Sequence, residues 1–456
     1  MKKHIALSAM VIGLLSSASV QAAEDLSSMF SEGKVSGQIR EFSISRAVKR
    51  SASTDYTRKA NAIGGHLKYV TADYKGLSFG TAFYTTNGFA NDEARTDSTK
   101  VDPTLLGVNN EGYSILGEAF IKYEMDKTVF VGGRQKVKNA MISSDDARMV
   151  PNLVETFSLT NKNLPGTTLA IAHTTKFAQG TFGRAYGAGG ILAATSGYSA
   201  VDPSNQVGDF VNMGDYAVGK ETAGITSVSA IYSGVKGLKV QLWDFYAHDI
   251  MNTIYADISY KMKLDSVTPF VAAQFMKQNE VGDKLLKNTS ISTNGKLDSM
   301  YYGLKAGLSV ANFTAYVAYS STSANSASDV TSEGTATNAI VSMWGGMPAY
   351  TQGMVTRHQF LAGTKATKVA ASYNFKDMGP DLKAVLYYGS YDMDNNNGYT
   401  YGDASETGFD LIYNTGFAKG LQLRLRGNYA NDFNVASGTG ATVGWDEYRF
   451  IANYTF

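Results

Sequence analysis

Apolar and polar side chains alternate with a period of two along most of the chain. The alternation is clearest over residues 421–429, 369–375 and 127–138, where every second side chain is apolar and the intervening ones are mostly polar or charged. Successive side chains of a strand point to opposite sides, so this pattern predicts strands with one apolar and one polar face. Strands of a soluble sandwich alternate in the same way, so the period alone leaves two all-β architectures open.

The connections between the predicted strands alternate in length. Short turn signals recur along the chain, the first at 73–76 and the last at 416–420. Longer polar stretches separate them at roughly 46–59, 87–112, 139–150, 178–220, 248–252, 279–296, 322–364, 391–405 and 431–443. This arrangement is typical of a transmembrane antiparallel β-barrel, which has short periplasmic turns and long extracellular loops. The sequence therefore predicts an all-β barrel of about eighteen strands, an even number that closes with both chain ends on one side.

The composition agrees with such a barrel and excludes several other classes. The 456 residues include 28 tyrosines and 22 phenylalanines but only 7 prolines, as expected where aromatic rings mark membrane interfaces and proline is kept out of strands. The absence of cysteine excludes disulfide scaffolds and thiolate sites. A net charge of +1 gives no basic field for nucleic acid.

The two ends of the chain indicate export and insertion into an outer membrane. Residues 1–22 combine a positive start, an apolar stretch and small side chains before Ala22, which predicts a signal peptide cleaved after Ala22. Residues 23–456 then form the barrel. The last predicted strand, 448–456, is amphipathic, and its terminal Phe456 resembles the signal that the outer-membrane assembly machinery reads.

Several segments resemble the OprD-type outer-membrane porins. They are SGQIREFSISR (36–46), LGEAFIKYEM (116–125), VGGRQKV (131–137), SSDDARMVPN (143–152) and the C-terminal pair around LRLRGNY and DEYRFIANYTF. The resemblance implies an eighteen-stranded barrel in the outer membrane of a Gram-negative bacterium, with a third loop that folds inward as a constriction. It also implies uptake of small, often carboxylate-bearing nutrients past lumenal arginines and lysines. Here the third loop, about 139–150, is short, so residues 343–348 of the seventh loop are a second candidate for the narrowest point.

Basic side chains on the polar strand faces form a candidate ladder for anions. The ladder consists of Arg40, Arg134, Lys136, Lys138, Lys368, Arg424, Arg426 and Arg449. Parity places Arg424 and Arg426 in the lumen, and closure of the barrel brings Arg40 on the first strand beside Arg449 on the last. Arginine suits this role because its planar fork holds a carboxylate with two hydrogen bonds and keeps its charge. The alternative is that these charges only solvate the wall and pair with lumenal acids.

Acidic side chains and the third loop add further candidates. Glu118, Asp257 and Asp410 face inward by parity, where they either pair with the ladder or form an opposing wall that orients zwitterions. The candidate constriction residues are Ser143, Ser144, Asp145, Asp146 and Arg148. We expect Asp145 and Asp146 to hold Arg148 or backbone amides and so to fix the shape of the loop.

The leading hypothesis is a passive channel with a mild preference for small carboxylates or amino acids. The histidines outside the signal show no metal-ligand spacing, so we expect no enzyme activity, metal or other cofactor. The expected partners are outer-membrane lipid and lipopolysaccharide, small solutes and the assembly machinery, with a homotrimer left open and no nucleic acid. Two alternatives stay open: a general non-specific porin, and a structural or adhesive outer-membrane protein that acts through its long loops.

Overall fold

A computed structural model of the protein describes residues 23–89, 99–186, 189–203, 206–330, 334 and 337–456. The predicted signal peptide, 1–22, lies outside the described residues. Within them the chain is built almost entirely from strands. No helix in these ranges is both long and apolar enough to cross a membrane.

Eighteen strands, β1 to β18 in chain order, form the wall in the described part of the chain. They are Lys34–Arg50, Tyr56–Val70, Leu77–Gly88, Tyr113–Met125, Thr128–Gln135, Leu153–Asn161, Thr167–Ala178, Ile225–Tyr232, Leu238–Ala247, Met251–Lys261, Val267–Glu280, Asp298–Val310, Phe313–Thr322, Lys365–Asn374, Leu382–Asp392, Ala404–Asn414, Leu421–Val435 and Thr442–Thr455. A two-residue strand, Val211–Asn212, pairs with the end of β7. The α-helices of the described residues include α1 (Leu26–Ser31), α2 (Gly190–Ser196) and α3 (Met213–Val218). Short 3-10 helices span Pro103–Leu105, Val108–Asn110, Thr181–Tyr186, Leu285–Asn288, His358–Phe360 and Phe375–Met378.

The sheet closes on itself. Each strand pairs antiparallel with its neighbours in the chain, and β1 also pairs with β18, from Gln38 opposite Thr455 to Arg50 opposite Val443. Closure removes the exposed strand edges that an open sheet would present. The predicted antiparallel barrel of eighteen strands is therefore confirmed.

The outer face of the wall is apolar, as the alternation predicts. Many large apolar side chains point outward; Leu304 and Leu386, for example, are 53% and 63% exposed. Exposing so many of them to water would be unfavourable. Exposed tyrosines such as Tyr123 and Tyr454 lie near the periplasmic ends of their strands, where rings fit a membrane interface. This surface suits a lipid environment.

The first extracellular loop is shorter than predicted. The sequence pattern placed 46–59 outside the strands, whereas β1 continues to Arg50 and β2 begins at Tyr56. The extra strand residues include exposed Lys49 and Lys59. The strand ends of this hairpin are polar on both faces and show no apolar alternation. The sequence pattern therefore could not identify these residues as strand.

The described parts of three long loops fold back into the barrel. They are the third loop (136–152), the fourth loop (179–224) and the seventh loop (323–364), each joining the extracellular ends of two strands. Their apolar side chains join one buried cluster with inward side chains of the wall; Tyr216 and Trp344 from the loops belong to it with Phe245 and Tyr301 from the strands. The lumen is therefore partly filled by packed loops.

Candidate functional site

The third and seventh loops meet inside the barrel. The Ser143 amide donates a hydrogen bond of 2.9 Å to the carbonyl of Trp344. The next residue, Gly345, has a φ of +97°, and a Cβ there would lie only 2.0 Å from the Ser143 carbonyl oxygen. Glycine is therefore required for this close approach. An ion pair of 3.1 Å between Arg357 and Asp145 joins the same two loops.

The seventh loop is also tied to the fourth. The Trp344 side chain is fully buried and donates a hydrogen bond of 3.1 Å from its indole nitrogen to the Met213 carbonyl at the start of α3. The Ser342 amide donates to the carbonyl of Ala194 in α2. The three inward loops therefore form one connected layer across the lumen.

Arg148 anchors the third loop to the wall. Its side chain is fully buried, forms a 2.7 Å ion pair with Glu447 of β18, and donates a 3.1 Å hydrogen bond to the Thr104 hydroxyl. Burial lowers the pKa of Arg148 to about 10, so the group keeps its charge at neutral pH. The expectation that Asp145 or Asp146 holds Arg148 is wrong, because Glu447 takes that place.

The two aspartates of the third loop have other partners. Asp145 accepts a hydrogen bond from the Tyr198 hydroxyl of the fourth loop and pairs with Arg357. Asp146 pairs with Arg40 of β1 at 2.7 Å and with Lys136 at 3.6 Å. Burial would raise the pKa of Asp146, but the charges of Arg40 and Lys136 hold it below its ordinary value.

A cavity of about 550 Å³ opens where the third and seventh loops meet the wall. The third loop supplies Lys138, Ser143, Ser144, Asp145 and Asp146, the seventh supplies 345–348, 352–354 and Arg357, and the wall supplies Lys368, Tyr387, Asp410, Arg426 and Arg449 among others. Lys138 and Ser143 form a β-bridge at its edge, and the Ser144 carbonyl accepts a 2.7 Å hydrogen bond from the Asn152 amide. Most of the predicted ladder and loop residues therefore surround or adjoin one space.

The arginines of the last strands lie side by side on the wall. Arg426 of β17 is directly opposite Arg449 of β18 and, on its other side, opposite Asp410 of β16. Asp410 pairs with Arg424 through two hydrogen bonds, one of 2.7 Å, and lies 3.1 Å from the Nε atom of Arg426. One carboxylate thus holds two guanidinium groups.

The same arrangement of two cations around one carboxylate occurs twice more along the seam between β18 and β1. Glu447 is shared by Arg148 and Arg449, and Asp146 is shared by Arg40 and Lys136. Arg40 is fixed further by a 2.8 Å hydrogen bond from its Nε atom to the Asn453 side chain. Each of the three clusters therefore combines two cations with one anion and keeps a net positive charge.

Arg134 is not part of this wall, and the prediction that it faces the lumen is wrong. Val129, Val131 and Gln135 of β5 line lumenal space, so Arg134 lies on the opposite strand face. Its guanidinium stacks over the ring of Phe210 at 4.3 Å. The parity was misassigned because both faces of β5 carry apolar side chains, with Phe130 opposite the valines.

The other two predicted acids, Glu118 and Asp257, already have partners inside the lumen. Glu118 pairs with Lys68 at 2.6 Å and accepts a 2.7 Å hydrogen bond from the Tyr84 hydroxyl. Asp257 accepts a hydrogen bond from Tyr350 at the tip of the seventh loop. These two carboxylates hold local structure, and together they do not form a continuous acidic wall.

Three lumenal residues of note were missed at the sequence level. Glu406 of β16 accepts hydrogen bonds from the amides of 354–356 and so fixes the seventh loop. Lys305 of β12 also lines lumenal space. Glu406 lies on the same strand face as Asp410, and Lys305 follows the outward-facing Leu304, so the alternation could have identified both as lumenal. The third missed residue is Arg357, and nothing in the local sequence marks it.

Comparison with known proteins places this barrel in a family. The model of the family described as outer membrane porin, OprD family, matches residues 29–456. The chain is an outer membrane porin of the OprD family. As a member of this family, the porin sits in the outer membrane of a Gram-negative bacterium and forms a channel for small solutes. The resemblance in the sequence is thereby confirmed.

Solved structures show the same fold at low identity. The porin superposes on Pseudomonas aeruginosa OccK9 (OpdG) with a TM-score of 0.73 and 16% identity, covering 94% of this chain and 100% of that one. The P. aeruginosa OpdK structure with vanillate gives a TM-score of 0.69 at 14% identity, covering 94% and 99% of the two chains. P. aeruginosa OccK8 (OprE) gives 0.70 at 16% identity with the same coverage. No curated protein matches the sequence of this porin.

Proposed function

We propose that this porin lets small hydrophilic solutes, chiefly carboxylates and amino acids, diffuse passively past its basic wall. The supporting observation is the ratio of charges at the cavity, where Arg424 and Arg426 share Asp410. A carboxylate that enters can take up the second guanidinium without displacing the aspartate from the first. Because the low-dielectric wall of a narrow aqueous lumen focuses the field of its fixed charges, a net positive wall favours anions.

The paired charges also explain why the preference should be mild. A guanidinium that already donates to a carboxylate binds a passing anion less tightly than a free one, because part of its donor set is occupied. Weak and repeated binding lets a solute leave as readily as it enters, which conduction requires. Vanillate, the ligand in the OpdK structure, is a small carboxylate and is consistent with this class.

Packing of the long loops argues against adhesion as the main role. An adhesive protein needs its loops exposed, whereas Tyr198 and Trp344 of the fourth and seventh loops are 1% and 0% exposed. A general porin stays the nearer alternative. It would pass neutral and anionic solutes of equal size at equal rates.

Planar-bilayer recording and liposome flux test the proposal. We expect stepwise conductance, a reversal potential that shows anion preference in a salt gradient, and loss of that preference in Arg424→Ala/Arg426→Ala. Lys236→Ala removes an exposed cation in a periplasmic turn and serves as the control. A protein without conductance would refute the channel. Unchanged selectivity in the double variant would refute the role of the wall.

The proposed partners and boundaries rest on separate grounds. Phe456 is 53% exposed on the outward face of the barrel next to Tyr454, where the assembly machinery could reach it during insertion. The cleavage after Ala22, contact with lipopolysaccharide and a homotrimer stay predictions of the sequence.

A further inference from the structure

A second lumenal cavity of about 320 Å³ lies beside the first, between the wall and the tip of the seventh loop. Lys368, Val385 and Tyr387 line both cavities, so the two spaces adjoin. The second cavity continues along the wall of β11 to β15 and is closed on one side by Ala349 and Tyr350. A solute that leaves the first cavity past Lys368 therefore meets this space next.

Three lysines surround this second cavity, which we name the lysine pocket: Lys305, Lys368 and Lys383. Among the lining residues that the structure describes there is no carboxylate. Within the described chain neither Lys305 nor Lys383 has an ion-pair partner, in contrast to the arginines of the basic wall. The lysine pocket therefore concentrates positive charge that no lining acid offsets.

The nearby acids are held by other groups. Asp257 accepts the hydroxyl of Tyr350. Glu406 accepts the amides of 354–356 and the hydroxyl of Tyr387. Both carboxylates hold the seventh loop in place, so moving them to pair with the lysines would break these hydrogen bonds.

The strand register makes room between the lysines. Lys305 of β12, Ala318 of β13 and Lys368 of β14 lie on one row across the sheet. Neighbouring strands are about 4.8 Å apart, so the two lysine backbones are separated by roughly 10 Å with only a methyl group between them. In the next row the order is Gly307, Tyr316, Ala370 and Tyr387, which alternates small and large side chains. The small residues leave the space and the rings form its sides.

Aromatic faces hold the ammonium groups in place. The Lys305 Nζ atom lies 4.2 Å from the ring centroid of Tyr350 and 5.7 Å from that of Tyr316. The Lys368 Nζ atom lies 4.4 Å from the ring of Tyr387 and donates a hydrogen bond to the Gln352 carbonyl. Contact with a ring stabilises a cation without using its N–H donors as an ion pair would. The donors of Lys305 are available to a ligand.

We propose that the lysine pocket binds solutes with two carboxylates and that Lys305 is the residue that distinguishes them from monocarboxylates. This inference deepens the proposed function and rests on it. A dicarboxylate can place one carboxylate near Lys305 and the other near Lys368, because these cations come from positions two strands apart. A monocarboxylate of equal length can engage only one of them, and its apolar end would have to lie beside the second ammonium group.

Succinate and butyrate, which both have four carbons, test this inference. Equilibrium dialysis with radiolabelled solute measures binding to the detergent-solubilised full-length barrel, and liposome flux measures transport. We expect tighter binding of succinate than of butyrate. Lys305→Met, which keeps the length but removes the charge, should weaken succinate binding about five- to tenfold, because one charge-assisted contact is lost. Butyrate binding should change less than about twofold.

Controls separate this inference from the proposed function. Lys305→Arg keeps the charge and should retain the preference for succinate, and Lys236→Met removes a cation outside the lumen and should leave both solutes unaffected. Equal binding of the two solutes by the unaltered protein, or equal loss for both in Lys305→Met, would overturn the inference while leaving anion flux intact. Loss of all flux with succinate binding retained would overturn the proposed function alone.

Discussion

The anchor between Arg148 and Glu447 determines how firmly the third loop is held against the wall. Both side chains are fully buried and 2.7 Å apart, and Arg148 also donates to Thr104. In Arg148→Met, Glu447 keeps Arg449 and the Trp445 indole as partners, so the carboxylate is not left alone. Breaking a buried pair costs about 3–5 kcal/mol, and we take the lower end, about 3 kcal/mol, because of these partners.

The expected consequence is frequent release of the third loop. Since about 1.36 kcal/mol corresponds to a tenfold change in an equilibrium, 3 kcal/mol raises the released fraction roughly 150-fold. Glu447→Gln should have the larger effect, because it leaves Arg148 and Arg449 buried together without a carboxylate. Single-channel recordings should show longer excursions to higher conductance in the order Glu447→Gln, Arg148→Met, unaltered protein. Trypsin should cleave after Lys138 faster in the same order.

Arg134→Met is the matched control for this experiment. The guanidinium of Arg148 stacks over the ring of Phe182, and that of Arg134 stacks over the ring of Phe210 in the fourth loop, so both variants remove a charge from an aromatic face but only Arg148→Met removes the anchor of the third loop. If Arg148→Met gave the same current noise and the same tryptic resistance as Arg134→Met in a folded barrel, the buried pair would not hold the loop.

Three further predictions follow from other parts of the structure. Asp410→Asn should raise anion selectivity, because Arg424 and Arg426 lose their shared counter-charge; an unchanged or lower reversal potential would contradict this. Burial lowers the pKa of His358 to about 4 in the packed seventh loop. In a released loop the imidazole would have its ordinary pKa of about 6.5, so the released state binds a proton more tightly than the packed state does. Acid should therefore loosen the seventh loop progressively from pH 6.5 to 4, seen as increasing current noise that His358→Gln removes. Deleting Phe456 should lower the yield of folded barrel in cells, measured as the fraction that migrates as the compact form on unheated gels, and a normal yield would refute its role in assembly.

The strand architecture could be predicted from the sequence because its cause is local. Each strand buries one face in the membrane, so alternation over about ten residues suffices to mark it, as in β17. The same logic brought Arg424 and Arg426 to the inner face. It failed at Arg134, where apolar side chains occur on both faces of β5 and the charged residue was taken to mark the lumen.

The arrangement of the loops could not be predicted in this way. Asp145 meets Arg357, and Ser143 meets Trp344, across some two hundred residues of intervening chain. Such contacts depend on the closed wall that brings the loops together, and no periodic pattern in a loop encodes them. For the same reason the partner of Arg148 was misassigned to the nearest acids in sequence, when the barrel brings Glu447 to it.

The seam between the first and last strands has a consequence for how this porin matures. Arg40 stands on β1, while Arg449 and Glu447 stand on β18, so the chain is nearly complete before these groups can meet. A barrel whose final strand has not yet inserted would lack the Arg148 anchor and one of the three positive clusters, the one around Glu447. The buried anchor of the third loop is thus completed last, and an intermediate stalled before closure would hold that loop less firmly against the wall.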